Sequence, residues 1–206
     1  MYKIGIIEDL DDSFNDYKEI FEDDEIELVR VNEFSNINEL HNFIIDNSIE
    51  AMIIDYKLKP KFNVLGTEII TELNKIMPDF TCFILTVYPD ESIDEELVSR
   101  NSIYDKKKVT IPDKEEYESF ISDIKHAANV YAKRKEILIE EYRKMIEMNK
   151  QNKLINAKTK DDIKETHKLL ANYGIIEDIP LEMLENGAQE KMDVLIKKID
   201  EFMNKK

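Results

Sequence analysis

The chain has 206 residues, 42% hydrophobic and 36% charged, with 45 acids against 29 bases and a formal net charge of −16. The apolar share supports a sizeable core, while the acid excess argues against a whole-chain nucleic-acid binder and against adhesion to anionic membrane. One cysteine, Cys82, excludes an intrachain disulfide framework and a multi-cysteine zinc site. With no signal-peptide pattern and no apolar run near the ~20 residues that span a bilayer, a cytoplasmic protein is expected. The charge is uneven: residues 1–110 carry 25 acids against 11 bases.

Short apolar runs alternate with helical patterns through the first half. Residues 4–7 (Ile-Gly-Ile-Ile) predict a buried strand, and Phe14, Tyr17, Ile20 and Phe21 recur at helical spacing. Residues 26–31 predict a second strand. Ile37, Leu40 and Ile44 form a helix face, with Asn36 and Glu39 spaced as a capping box. Residues 51–54 predict a third strand. Ile69, Leu73 and Ile76 mark a helix that stops before Pro78. A fourth strand is predicted at 80–85, a short helix around Ile93 and Leu97, and a weak fifth strand at 102–104. Strands apolar on both faces and joined by helices indicate a parallel sheet covered on both sides.

After Pro112 the strand signals stop. Residues 113–156 contain neither proline nor glycine, and apolar residues at 121, 124, 128, 131, 138, 142 and 145 follow 3/4 spacing, interrupted by Lys135. That pattern predicts one long helix with a coiled-coil-like seam. A second helix is expected at 161–173, stopped by Gly174, with two more after Pro180. Residues 133–168 carry 11 bases against 7 acids, interleaved as on a solvated face. His167 falls on an apolar face with Ile163 and Leu170, which predicts packing.

In a parallel α/β sheet, functional side chains gather at the carboxyl ends of the strands. There the sequence places Glu8 and Asp9, Asp55, Thr86, and the run Lys106, Lys107, Lys108. Carboxylates sharing one pocket repel unless a cation sits among them, and a set of hard oxygen ligands suits Mg²⁺. Such a site would neutralise an incoming phosphoryl group, with the lysine and the hydroxyl meeting its oxygens and Asp55 as the nucleophile that forms an acyl phosphate.

These segments — Ile6-Ile7-Glu8-Asp9, residues 52–58 around Asp55, Ile84-Leu85-Thr86 and Tyr104-Asp105-Lys106-Lys107 — resemble the CheY-like receiver domain of bacterial two-component response regulators. The resemblance covers residues 1 to about 130 and implies a flavodoxin-like, doubly wound, five-stranded parallel sheet of order 2-1-3-4-5. It makes Asp55 the phosphoacceptor. Glu8, Asp9, Asp55 and the backbone carbonyl of Lys57 become the Mg²⁺ ligands. Thr86 becomes the switch hydroxyl, Tyr104 the switch aromatic, and Lys107 the active-site lysine. The sequence departs from the family where Lys108 replaces the usual proline, which leaves the choice between Lys106 and Lys107 open. Bulky Val87 and Tyr88 follow the hydroxyl, and the loop from Asp55 to Gly66 is about three residues longer than usual.

The expected organisation is therefore a receiver domain at 1–130 and an all-α coiled-coil or interaction domain at 131–206. The expected function is signalling rather than independent enzymatic catalysis. A sensor histidine kinase or other phosphodonor would load Asp55, and the helical tail would report to a protein partner or a second copy of the chain. A phosphorylation-independent scaffold is the first alternative, and a DNA-binding transcription regulator, whose helix-turn-helix would use the three helices of 161–203, the second. The absence of strands after Pro112 argues against a winged-helix DNA-binding domain, and the two arginines of the tail, Arg134 and Arg143, against base readout.

Overall fold

The computed structural model describes residues 1–21, 24–58, 62–111, 115–150, 157–177 and Lys197. The chain divides into two compact units, residues 1–132 and 133–206. The first holds a five-stranded parallel sheet of order β2-β1-β3-β4-β5, formed by β1 (Tyr2–Ile7), β2 (Ile26–Arg30), β3 (Ala51–Ile54), β4 (Cys82–Thr86) and β5 (Ile103–Asp105). This is the flavodoxin-like receiver fold that the sequence implied. Strands β3 and β4 are buried at every residue, as an interior strand of a doubly covered sheet must be.

The two-residue period divides these strands between the faces. Ile4, Ile6, Ala51, Ile53, Phe83 and Leu85 belong to one core cluster with Tyr17 and Phe21 of α1 (Asp11–Phe21) and with Phe120, Ile124 and Ala128. Of the alternate residues, Ile54 and Ile84 lie against Gly66 at the start of α3 (Gly66–Ile76), and α3 packs beside α2 (Ile37–Asp46). Asn36 caps α2, its side chain accepting from the amides of Asn38 and Glu39 at 3.0 and 3.1 Å. Glu39 reaches back one residue further than a simple capping box, to the Ser35 amide at 2.8 Å. Helix α3 ends at Ile76, two residues ahead of Pro78.

The region after β4 differs from expectation in detail. Helix α4 (Pro89–Asp94) is six residues long and starts at its proline, which lacks the amide hydrogen that a first turn leaves unpaired. It stops short of Leu97, which is exposed. Strand β5 lies one residue later than predicted. A four-residue helix α5 (Lys106–Val109) follows at once, before α6 (Glu115–Lys150).

Helix α6 supplies its first turns to the first unit and residues 133–150 to the second. Its buried positions are Tyr117, Phe120, Ile121, Ile124, Ala127, Ala128, Tyr131, Ile139, Tyr142 and Ile146. The predicted seam is therefore right up to Tyr131 and again at Tyr142, but two of its positions beyond Lys135 fall one residue early. Ile139 and Ile146 are buried, whereas Leu138 and Met145 are half-buried. An α-helix drifts by about 20° per heptad from a strict 3.5-residue repeat, so the buried stripe follows the pitch of the helix instead of the heptad.

In the second unit, α7 (Ala157–Asn172) begins four residues before its predicted start. It ends where glycine predicted: Gly174 has φ 68°, and the amides of Gly174 and Ile175 bond the carbonyls of Ala171 and Leu170 at 2.9 and 3.0 Å. This pairing closes the last turn with a residue in the left-handed region. His167 packs as expected; it is fully buried, with Nδ1 2.7 Å from the Tyr142 hydroxyl. The helices expected after Pro180 lie outside the described residues.

Ile139→Ala should destabilise the protein by roughly 2–4 kcal/mol in urea unfolding, as for other buried large-to-small changes. Leu138→Ala should stay below about 1 kcal/mol, because a half-buried residue forfeits less packing. Equal losses would restore the heptad register.

Candidate functional site

Parallel pairing brings four strand ends to one edge. Ile7 of β1 aligns with Ile54 of β3, Ile54 with Ile84 of β4, and Thr86 with Asp105 of β5. The residues that follow or end these strands therefore meet: Glu8 and Asp9, Asp55, Thr86 and Lys106. The Asp55 amide donates to the Ile7 carbonyl at 3.0 Å, which ties the third strand's exit directly to the first. Gly66 allows α3 to start against this point. A β-carbon there would press into the Asp55 carbonyl oxygen and lie 3.0 Å from the side chains of Ile54 and Ile84.

Glu8, Asp9 and Asp55 each offer a carboxylate oxygen within 4.8 Å of the others. Glu8 is 1% exposed and fully engaged: Oε2 accepts from Lys106 Nζ at 2.8 Å and Oε1 from the Leu10 amide at 3.2 Å. Asp55 lies 3.3 Å from the same ammonium through Oδ2, while Oδ1 accepts from the Tyr56 amide at 2.8 Å. An all-oxygen, acidic donor set of this kind fits Mg²⁺, a hard cation that prefers carboxylates and keeps several waters.

The lysine at the site is Lys106, where the resemblance had pointed to Lys107. The reason is local. Strand β5 ends at Asp105, and its side chain caps α5 by accepting from the Lys107 amide at 3.0 Å. Lys106, leaving the strand, points along the sheet edge to Glu8 and Asp55. Lys107 and Lys108 enter a helical turn and are exposed.

One ammonium serves three acids, and the proton affinities show the imbalance. Burial, with repulsion from Glu8, outweighs attraction by Lys106 and pushes Asp55 up from 3.8 to about 6. Asp9 is also raised, by burial first and then by hydrogen bonding and repulsion from Glu8. Burial works against the charge on Lys106, but the carboxylates of Asp55 and Glu8 overcome it and raise the ammonium above its usual range. The lysine gains from two neighbouring anions, whereas each acid shares one cation; the opposite preferences are compatible.

Thr86 is fully buried, and its Oγ accepts from the Tyr88 amide at 3.1 Å. Tyr104 is half-buried on the other side of β5. Its ring lies 4.6 Å from that of Phe120 and 5.9 Å from that of Phe83, and its hydroxyl donates to Asp123 of α6 at 2.6 Å. Lys57 lies in the loop after β3. Its ammonium sits 3.7 Å above the Tyr88 ring and 2.5 Å from Glu91 of α4.

Two features were not read from the sequence. Glu95, just past α4, accepts from the Tyr56 hydroxyl at 2.7 Å and the Thr67 hydroxyl at 2.5 Å, fastening α4 to the loop that carries Asp55. The Tyr17 ring lies 5.7 Å below Lys106 and walls the ammonium from α1. Neither pairing leaves a local sequence signal, because the partners are 39 and 89 positions apart.

No family model and no curated protein matches the chain. Among solved structures, it is similar to a response regulator receiver domain protein from Clostridium thermocellum, with 24% identity and a TM-score of 0.43, over 67% of this chain and 99% of that one. It is also similar to the response regulator TrrA of Thermotoga maritima in complex with Mg²⁺-BeF, at 17% identity and TM-score 0.48, over 60% and 99%. A third similarity is to the Salmonella typhimurium response regulator RcsB, whose structure concerns DNA interaction, at 13% identity and TM-score 0.47, over 87% and 95%. Among the described residues, no helix is long and apolar enough to cross a membrane.

Asp55→Asn should stabilise the metal-free protein at pH 7–8 by roughly 1–3 kcal/mol, since a pKa near 6 means that ionising Asp55 opposes folding. The native state holds a proton between pH 3.8 and about 6 that the unfolded chain has lost, so the wild type loses this contribution as pH rises through that window. The advantage of the variant should vanish below about pH 4. Urea unfolding in EDTA across pH 3–8 measures both, and a variant less stable than wild type at pH 7 would reverse the electrostatic account.

Proposed function

We propose that this protein is a phosphorylation-controlled response regulator that accepts a phosphoryl group on Asp55. The observation that supports this reading most is the convergence of Asp55 with Glu8, Asp9, Lys106 and buried Thr86 at one carboxyl edge of a 2-1-3-4-5 sheet. Glu8, Asp9, Asp55 and the Lys57 carbonyl would hold Mg²⁺. When bound, the ion supplies positive charge against the donor's phosphoryl oxygens.

Burial raises Asp55 only to about 6, so at neutral pH the nucleophile is mostly ionised. An Asp55 oxygen attacks the phosphorus of a phosphohistidine or of a small acyl phosphate. The new O–P bond forms as the donor's P–N or P–O bond breaks, and the electron pair leaves with the donor. Lys106 already touches the nucleophile and is placed to pair with an oxygen of the incoming group. The Thr86 hydroxyl, one strand away, gives up the Tyr88 amide to donate to the acyl phosphate. That movement draws in the end of β4 and the neighbouring Tyr104. Tyr104 is bonded to Asp123, so the change reaches α6, a single helix that continues to Lys150. A sensor histidine kinase is the proposed donor, and a protein partner or a second copy of the chain the proposed receiver of the signal.

Intact-protein mass spectrometry after incubation with acetyl phosphate and Mg²⁺ tests the chemistry. The wild type and Lys107→Met should gain one phosphoryl group; Asp55→Asn should gain none, and Lys106→Met should gain it at least tenfold more slowly, as expected on losing a charge-stabilising donor. If the wild type takes up no phosphoryl group from acetyl phosphate or from a kinase, the scaffold reading replaces this one. The relay is read separately. Beryllofluoride should alter hydrogen exchange in residues 115–132, and Thr86→Ala should blunt that change without abolishing phosphorylation.

A further inference from the structure

Arg30 ends β2, on the far side of the acidic corner from Lys106. Its side chain is 14% exposed and forks: Nη2 donates to the Glu8 carbonyl at 3.1 Å, and Nη1 to Asp11 Oδ1 at 2.6 Å. The guanidinium carbon lies 5.0 Å from the centroid of the Phe14 ring. Its Nε is buried without a hydrogen-bond partner.

The bond to Glu8 continues the sheet where backbone pairing runs out. The Val31 amide bonds the Ile6 carbonyl at 2.9 Å, and the Asp55 amide bonds the Ile7 carbonyl at 3.0 Å. The next carbonyl, Glu8, has left the strand, and its partner is the Arg30 side chain. That carbonyl belongs to the planar peptide joining Glu8 to Asp9, so holding the oxygen holds the plane from which Asp9 departs. Glu8 is then fixed at all three of its oxygens: by Lys106, by the Leu10 amide and by Arg30.

A purely stabilising ion pair accounts poorly for this arrangement. Asp11 is 82% exposed, and exposed pairs contribute little. A buried guanidinium with an unpaired Nε is a poorer core filler than an apolar side chain of similar size. We infer that Arg30 is a positioning residue: it sets the Glu8–Asp9 peptide so that Asp9 faces Asp55 across the site. The consequence for Mg²⁺ rests on the phosphoacceptor reading; the effect on the corner itself does not.

Two measurements on the full chain separate these. Hydrogen exchange at the Asp9 and Leu10 amides, in EDTA, reads the corner. Titration with Mg²⁺ alone, followed by amide NMR shifts, reads the site. Arg30→Met should speed exchange at both amides and raise the Mg²⁺ dissociation constant by about tenfold, the usual scale for losing an outer-shell partner. Arg30→Lys should recover part of both, and Asp11→Asn should change neither. Should Arg30→Met fail to fold, Arg30→Gln carries the same expectation. Unchanged exchange at Asp9 and Leu10 in Arg30→Met, or an equal effect from Asp11→Asn, overturns the inference. Faster exchange in a protein whose wild type binds no Mg²⁺ upholds the positioning role and sinks the phosphoacceptor reading instead.

Discussion

The site depends on one ammonium placed among three carboxylates. Lys106 reaches Glu8 and Asp55 from the start of α5, just past the fifth strand, 98 and 51 positions along the chain. Without a cation, the end of β1 and the end of β3 would present uncompensated negative charge to each other in a partly buried corner. One cation does not neutralise three acids. The remainder appears as the raised proton affinities of Asp55 and Asp9. Three acids short of positive charge are the kind of all-oxygen donor set that a divalent ion requires.

The fold's contribution is convergence. Parallel pairing in the order 2-1-3-4-5 puts every strand's carboxyl end on one side, and the register aligns neighbouring ends within two residues. Close approach then sharpens the geometry. Gly66 lets α3 begin against the Asp55 carbonyl, and Glu95 ties the loop after Asp55 to the end of α4. The site is held by strand ends and helix starts. Rigid flanks also make small movements at Thr86 or Tyr104 consequential, because packed interiors shift between discrete arrangements and do not deform smoothly.

Tyr104 connects this corner to the long helix. Its hydroxyl is bonded to Asp123 and its ring packs on Phe120, so any displacement of β5 is felt by α6. In the second unit, the same helix presents Tyr142 to His167 in a buried polar pair. A polar pair inside an apolar stripe restricts how two helices align more than it adds stability.

The sequence by itself determined the five strands, the longer helices among the described residues, the cap at Asn36, the stop at Gly174 and the acids that gather at the strand ends. These follow from periods of 2.0 and 3.6 residues, from local capping chemistry and from the rule that strand ends carry function. It left open which lysine enters the site, because that depends on whether a helix starts at Lys106 or later, and the missing proline removed the local cue. It misplaced two positions of the stripe beyond Lys135, Leu138 and Met145, because the 3.5- and 3.6-residue periods diverge only over several turns. It was silent on Arg30, on Glu95 and on the meeting of Tyr17 with Lys106. Each acts on a residue far away in the chain, and only tertiary packing decides which side chain meets a carbonyl that the sheet has left unpaired.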